Sequence, residues 1–198
     1  SNYVANGHHL TINLAGNIRF TGSRIQVRDG GKLTINNARS SGDAYIFSGD
    51  LSTSSSSSGN AVMVYEGGAF AITGSEGKRV VFDGHIGSNL ADTDAVLETA
   101  TTARTSRVLS FASDGSYSAT NSTVDIDHAV FQNYTSNSTS GEEYGGVMRF
   151  NAKKSYISVT NSEFKNITTK TVGSAIFFEE IEGFGKVYIG KNPDDTSD

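Results

Sequence analysis

The stretch Tyr-Ile-Ser-Val-Thr-Asn-Ser-Glu-Phe-Lys-Asn-Ile-Thr-Thr-Lys-Thr-Val-Gly-Ser-Ala-Ile-Phe-Phe, residues 156–178, holds three short apolar runs in a fixed order. The first run alternates with polar residues and stops at Asn161, the second is marked by Phe164 and Asn166, and the third covers residues 175–178. Each run has the length of a strand, and each break contains turn-forming residues. The stretch therefore predicts three short strands joined by three corners.

The same three marks recur along the chain. The alternating strand has copies at 10–13, 33–36, 70–73, 117–120, 157–160 and 187–190. The second mark, Phe-x-Gly or Phe-x-Asn, has copies that begin at Phe20, Phe47, Phe82, Phe131 and Phe164. The third strand has copies at 25–27, 62–64, 109–111, 147–150 and 175–178. Copies separated by about 20–50 residues are typical of a solenoid.

These marks predict an all-β fold, a right-handed parallel β-helix of about five to six coils. One interior column is predicted to contain Leu10, Leu33, Phe70, Tyr117, Ile157 and Val187, and a second to contain the five marked phenylalanines. The repeats differ in length mainly between the second mark and the third strand, which predicts loop insertions on one corner. We expect one domain over residues 1–190, a fragment of a longer surface protein, followed by a polar tail at 191–198.

Composition restricts the function classes. The net charge is −5, which does not favour a nucleic-acid partner. Cysteine is absent, so the chain has no disulfide and no thiolate metal site. No apolar run approaches ~18 residues, so we expect no membrane span in this fragment.

Two groups of segments resemble known β-helix surface proteins. Residues 161–168, Asn-Ser-Glu-Phe-Lys-Asn-Ile-Thr, together with Gly-Gly-Val-Met at 145–148 and Gly-Ser-Ala-Ile at 173–176, resemble the Phe-x-x-Asn and Gly-Gly-Ala-Ile repeats of polymorphic outer-membrane-type passengers, with the Phe–Asn spacing one residue shorter. Residues 5–13, Ala-Asn-Gly-His-His-Leu-Thr-Ile-Asn, and 30–37, Gly-Gly-Lys-Leu-Thr-Ile-Asn-Asn, resemble the pectate-lyase-like adhesive domains of bacterial adhesins. The resemblance implies a secreted or cell-surface adhesin whose β-helix is a stalk or binds a glycan or glycoprotein, and it supplies no site residues.

The face that carries the insertions is the expected binding face of such an adhesin. Tyr134 and Tyr144 lie on or beside large insertions, where tyrosine can stack on a sugar ring or instead fill the interior as a loop leaves a coil. Arg149 is a third candidate ligand-binding residue on this face. Asp92 and Asp94 are the weak candidates for a calcium site, although they lack the Gly and distal Glu of an EF-hand loop, and no other cofactor is expected.

A carbohydrate-active enzyme is the alternative, since β-helices also carry polysaccharide lyases and glycosidases. Its best candidates are Asp125 and Asp127, which point to the same side of one predicted strand beside His128. They are better explained as the exposed polar edge of a strand whose Val124 and Ile126 point inward. The sequence favours the non-enzymatic adhesin, and a structural stalk without a ligand is a third possibility.

The ends of a solenoid need partners as well, because an uncovered end presents strand edges that invite pairing. We therefore expect either flanking domains of the same chain or self-association.

Overall fold

The computed structural model describes residues 2–20, 24–48, 60–85, 107–111, 119–136, 146–169, 175–182 and 186–190. Within these residues the regular structure consists of strands, which pair in parallel in three sheets. The described part of the chain contains no helix that is long and apolar enough to cross a membrane. Tyr144, Asp92, Asp94 and the tail 191–198 lie outside the described residues.

The three sheets are named A, B and C in the order in which the chain first enters them. Sheet A contains β1 (Asn2–Val4), β4 (Ile25–Val27), β7 (Asn60–Val64), β10 (Arg107–Phe111), β11 (Ala119–Thr120), β14 (Met148–Lys153) and β17 (Ile176–Glu182). Sheet B contains β2 (His9–Leu14), β5 (Lys32–Asn37), β8 (Ala69–Thr73), β12 (Thr123–Asp127), β15 (Tyr156–Thr160) and β18 (Lys186–Gly190). Sheet C contains β3 (Ile18–Arg19), β6 (Ala44–Phe47), β9 (Val80–Asp83), β13 (Ala129–Ser136) and β16 (Glu163–Thr169).

The chain passes through the sheets in the order A, B, C and then begins the next coil. In the described residues this gives five complete coils and a sixth made of β17 and β18. The fold is a right-handed parallel β-helix, as predicted. The connections that vary most in length, such as residues 48–59 and 84–106, run from sheet C to the next strand of sheet A, so the predicted insertion corner is confirmed as well.

The interior is built from columns of side chains that the parallel register places one above another. The clearest column lies in sheet B, where β-branched residues occupy one position in all six strands: Ile12, Ile35, Ile72, Ile126, Val159 and Ile189. The four inner members are buried. Branched side chains pack well on a pleated surface, so the repeated Ile at this position explains why these strands stack in one register.

The predicted sheet B strand at 117–120 is wrong. Val124 occupies the position between Phe70 and Ile157. Ala119 and Thr120 instead pair with β14 in sheet A. The corner falls after them, at Asn121, whose backbone is left-handed with φ of 55°.

The predicted phenylalanine column is correct only in its last three members. Phe82, Phe131 and Phe164 are in register, and their rings stack with centroids 5.8 and 5.2 Å apart. In the second coil Ile46 pairs with Phe82, so Phe47 pairs with Asp83 on the outer side of the sheet. Phe20 lies beyond β3, and its amide donates a hydrogen bond to the Phe47 carbonyl.

Glycine is required where the chain turns from sheet A to sheet B against the coil before it. A Cβ on Gly68 would lie 2.4 Å from the Val27 carbonyl oxygen, and a Cβ on Gly31 would lie 2.1 Å from that of Val4. Both oxygens belong to backbone already held in the sheet A ladder, because Val4 and Val27 are register partners. The coils can therefore stack this closely at the corner only if the side chain is absent.

We expect Gly68→Ala to lower the free energy of unfolding by about 1–3 kcal/mol, since the backbone must move to admit a methyl group. Gly16→Ala is the matched control, because a Cβ there meets no atom within 4 Å. Urea denaturation of both variants measures the difference. Equal stability of the two variants would contradict the close approach at Gly68.

Candidate functional site

A polar groove lies at the corner between sheets B and C. It has a volume of about 570 Å³ and is lined by Gly42, Asp43, Glu76, Gly77, Arg79, His128, Asn161 and Glu163. Asp43, Arg79 and His128 each stand immediately before a sheet C strand (β6, β9 and β13), and Glu163 is the first residue of β16. Since these four strands are neighbours in sheet C, the corners of four successive coils form the groove.

Arg79 is the central cation of the groove. Its Nη2 donates to Asp43 Oδ2 at 2.8 Å, and its backbone amide donates to Asp43 Oδ1 at 2.8 Å. Its Nη1 reaches Glu163 Oε1 at 3.2 Å, across the intervening strand β13. Glu163 also forms an ion pair with Lys165. Arg79 thus links carboxylates that stand on the second and fifth coils.

These contacts fix the charge states in the groove. Burial alone would raise the pKa of Asp43, but the hydrogen bonds and charge of Arg79 outweigh it and hold the pKa below its ordinary value. The hydrogen bond from Lys165, with the charges of Lys165 and Arg79, lowers the pKa of Glu163. A general acid needs a raised pKa, so neither carboxyl group is suited to protonate a leaving group. Both are suited to accept hydrogen bonds.

The predicted pair Asp125 and Asp127 lies on β12 beside this groove. Val124 and Ile126 are buried and Asp125 is exposed, so the predicted alternation of the strand is confirmed. Asp125 has Ala71 and Ser158 as its register neighbours, so no carboxylate faces it from either adjacent strand.

Asp127 accepts hydrogen bonds at the corner between sheets B and C. Its Oδ1 accepts hydrogen bonds from Thr160 Oγ1 at 3.1 Å and from Asn161 Nδ2 at 2.9 Å. His128 Nδ1 lies 2.9 Å from the same oxygen. His128 and Asn161 both have left-handed backbones, with φ of 51° and 48°. Asp127 therefore ties together the turns of two successive coils, next to the groove wall that His128 and Asn161 form.

Tyr134 is not a surface residue, and its assignment as an exposed ligand-binding aromatic is wrong. It is 1% exposed and belongs to the hydrophobic core. The cause is the left-handed backbone at Asn133 (φ 63°), which interrupts the inward–outward alternation of the strand by one residue. Tyr134 therefore points inward, in register with Ile167. Its hydroxyl shares a hydrogen bond of 2.7 Å with Ser48 Oγ, and burial raises the pKa of Tyr134 well above its ordinary value.

A second polar cluster surrounds Asp83, which is fully buried on the outer side of sheet C. Its Oδ1 accepts from the backbone amide of His85 at 2.9 Å and lies 2.6 Å from His85 Nδ1. Its Oδ2 accepts from Gln132 Nε2 at 2.6 Å and from Asn133 Nδ2 at 3.0 Å. Four contacts satisfy both oxygens, which suits a carboxylate that fastens two coils together.

Arg149 is half-buried on β14, where its register partners are Ser110 and Phe177. Among the described residues, histidine and carboxylate side chains do not gather in groups of three or more that could hold a metal ion.

Of the residues singled out in the sequence, the structure brings Asp127 and His128 into contact. Asp125 and Arg149 do not line the groove.

Asp43, Glu76, Arg79 and Glu163 were not among the residues predicted from the sequence. The available signal was the position just before a sheet C strand, where Asp43 on the second coil is followed by the opposite charge of Arg79 on the third. No protein-family model, characterised protein or solved structure matches the chain.

Proposed function

We propose that this chain is a non-catalytic module of a secreted or cell-surface bacterial adhesin, and that it binds a glycan or glycoprotein through the polar groove between sheets B and C. The observation that carries the proposal is the ion-pair network of Asp43, Arg79 and Glu163, which reaches from the second coil to the fifth. It provides fixed charged hydrogen-bonding groups in an open groove. Sugar hydroxyls both donate and accept hydrogen bonds, so they match such a surface.

The scaffold supports the same proposal. Four of the groove residues, Asp43, Arg79, His128 and Glu163, stand at or directly before the starts of paired strands, and groups that strands position are held more precisely than groups on loops. Tyr45 extends the surface, because it follows Asp43 by two residues on β6 and its half-exposed ring stacks on Phe47 at 5.8 Å. Aromatic rings beside charged groups suit the apolar faces and hydroxyl edges of a sugar.

The proposed test is a glycan and polysaccharide array with the purified chain, followed by an assay for product formation on every hit. We expect binding without turnover. Glu163→Gln and Glu76→Gln should weaken binding by about 10–100-fold, because each hydrogen bond to a charged group contributes about 1.5–3 kcal/mol. Glu66→Gln is the matched control, since Glu66 is exposed at a different corner, between sheets A and B.

The outcomes separate the alternatives. If all three variants bound as tightly as the wild type, the groove would not be the binding site. The insertion corner with Tyr144 would then be the next candidate. Product formation that Asp125→Asn or Asp127→Asn abolishes would establish the carbohydrate-active enzyme instead; the His128 beside Asp127 is the observation that keeps this alternative open. Binding to no glycan would favour a protein receptor or a structural stalk.

A further inference from the structure

The guanidinium group at the centre of the groove is engaged by the protein's own carboxylates. Nε and Nη2 of Arg79 both face Asp43 Oδ2, at 3.2 and 2.8 Å, and Nη1 donates to Glu163 Oε1 at 3.2 Å. This is the two-pronged geometry in which a guanidinium recognises a carboxylate. A sugar that carries a carboxylate would therefore have to displace Asp43 before it could use Arg79.

The charges that line the groove do not cancel. Asp43 is paired with Arg79, and Glu163 is paired with both Arg79 and Lys165. Glu76 is the third carboxylate of the lining. It is exposed, and within the part of the chain that the structure describes its side chain has no ion pair or hydrogen bond. The uncompensated negative charge of the groove therefore lies on Glu76.

The backbone holds Glu76 in a fixed position. Ser75 and Lys78 exchange two backbone hydrogen bonds, of 3.1 and 3.0 Å, so that Glu76 is one of the two residues at the tip of a tight turn. The base of the turn is fastened to the fourth coil, because the Gly74 amide donates to the Asp127 carbonyl at 3.0 Å. A carboxylate on such a turn is positioned before a ligand arrives.

The space beside Glu76 is open. Gly42 and Gly77 line the same groove, and a Cβ on either would meet no atom within 4 Å. The remaining titratable group of the lining, His128, has its Nδ1 2.9 Å from Asp127 Oδ1, so a positive charge on its ring would be balanced there and not by Glu76.

We propose that the groove selects glycans that carry a free amine, and that Glu76 is the residue that binds the ammonium group. The inference rests on the proposed function, since it names the class of glycan that the groove takes. An ammonium group offers three N–H donors and one positive charge. It therefore suits an open carboxylate and compensates the charge that the ion pairs leave over. Acetylating the amine removes this charge, and a carboxylate in its place would be repelled.

Three forms of one glucosamine oligomer test the proposal: the free amine, the N-acetylated form and the N-succinylated form, which are positive, neutral and negative. Titration calorimetry measures their Kd values in one mildly acidic buffer that keeps the amines protonated. Asp43 and Glu163 remain charged there, because their pKa values are lowered by Arg79 and Lys165. We expect the free amine to bind at least about tenfold more tightly than the acetylated form, and the succinylated form to bind most weakly.

Two substitutions at Glu76 give the sharpest result. Glu76→Gln should abolish the preference for the free amine, and Glu76→Lys should reverse it in favour of the succinylated form. Glu66→Lys is the matched control, since it makes the same change of charge at an exposed position between sheets A and B, and it should keep the original preference. Thermal melts check that all variants fold. If Glu66→Lys altered the preference as much as Glu76→Lys, the effect would belong to the net charge of the chain, and the proposal would be overturned.

The results also distinguish this inference from the proposed function. Binding of glycans without an amine that Glu163→Gln weakens, on the array or among the three forms, would overturn the amine selection and leave the groove as the glycan-binding site. Binding to no glycan at all would overturn both.

Discussion

Phe131→Ala is expected to lower the free energy of unfolding by about 3–5 kcal/mol. Phe131 is fully buried in the fourth coil, and its ring stacks between Phe82 of the third coil and Phe164 of the fifth. Removing the ring takes away its buried apolar area and leaves a cavity between two coils that the backbone ladders hold at a fixed spacing. Such a cavity can collapse only by breaking the ladders, so we place the loss in the upper part of the usual range for buried apolar residues.

Urea denaturation measures this loss, and the slope of the transition carries further information. In a solenoid each coil contacts only its neighbours, so a weakened contact between coils can let the fifth and sixth coils unfold separately. That outcome would lower the slope as well as the midpoint. Phe131→Leu is the control and should cost less than about 1.5 kcal/mol, because it keeps most of the volume. A loss below about 1 kcal/mol for Phe131→Ala would show that the stacked rings are not the principal contact between these coils.

The fold could be predicted because its determinants are local and repeated. Alternation such as Leu-Thr-Ile-Asn identifies an inward pair of residues, and a turn-former after it identifies a corner, so six approximate copies were enough to predict parallel coils. The error at 117–120 shows the limit of this approach. Residues 117–120 and 123–127 both have a strand-like pattern, and the left-handed corner at Asn121 falls between them, so that residues 123–127 are the ones that enter sheet B.

The candidate site was less predictable, because it depends on register to within one residue. Aligning Phe47 with Phe82 places Ala44 beside Arg79, whereas the true register places Asp43 there, because Ile46 takes the inward position. A slip of one residue exchanges the two faces of a strand, so the Asp43–Arg79 ion pair could not be predicted from the aligned phenylalanines. Tyr134 was misplaced for a related reason, since the left-handed Asn133 shifts every later residue of β13 by one position.

Asp83→Ala is expected to lower the free energy of unfolding by about 3 kcal/mol or more. The carboxylate is 0% exposed and accepts hydrogen bonds from Gln132, Asn133 and the backbone of His85. Removing this buried acceptor takes a partner from three half-buried groups at once, and each hydrogen bond to a charged group contributes about 1.5–3 kcal/mol. Gln132 and Asn133 stand on the next coil, so the loss falls on the contact between the third and fourth coils.

Asp125→Ala is the matched control for this variant. It removes the same charge and the same side chain from a strand of the fourth coil, but Asp125 is exposed, so we expect a change within about 0.5 kcal/mol. Asp83→Asn should fall between the two alanine variants, because one oxygen still accepts from the His85 backbone while the new amide group faces the donors on Gln132 and Asn133. Equal stability of Asp83→Ala and Asp125→Ala in urea denaturation would mean that water or a rearranged side chain satisfies the donors. Asp83 would then not be the residue that fastens these two coils together.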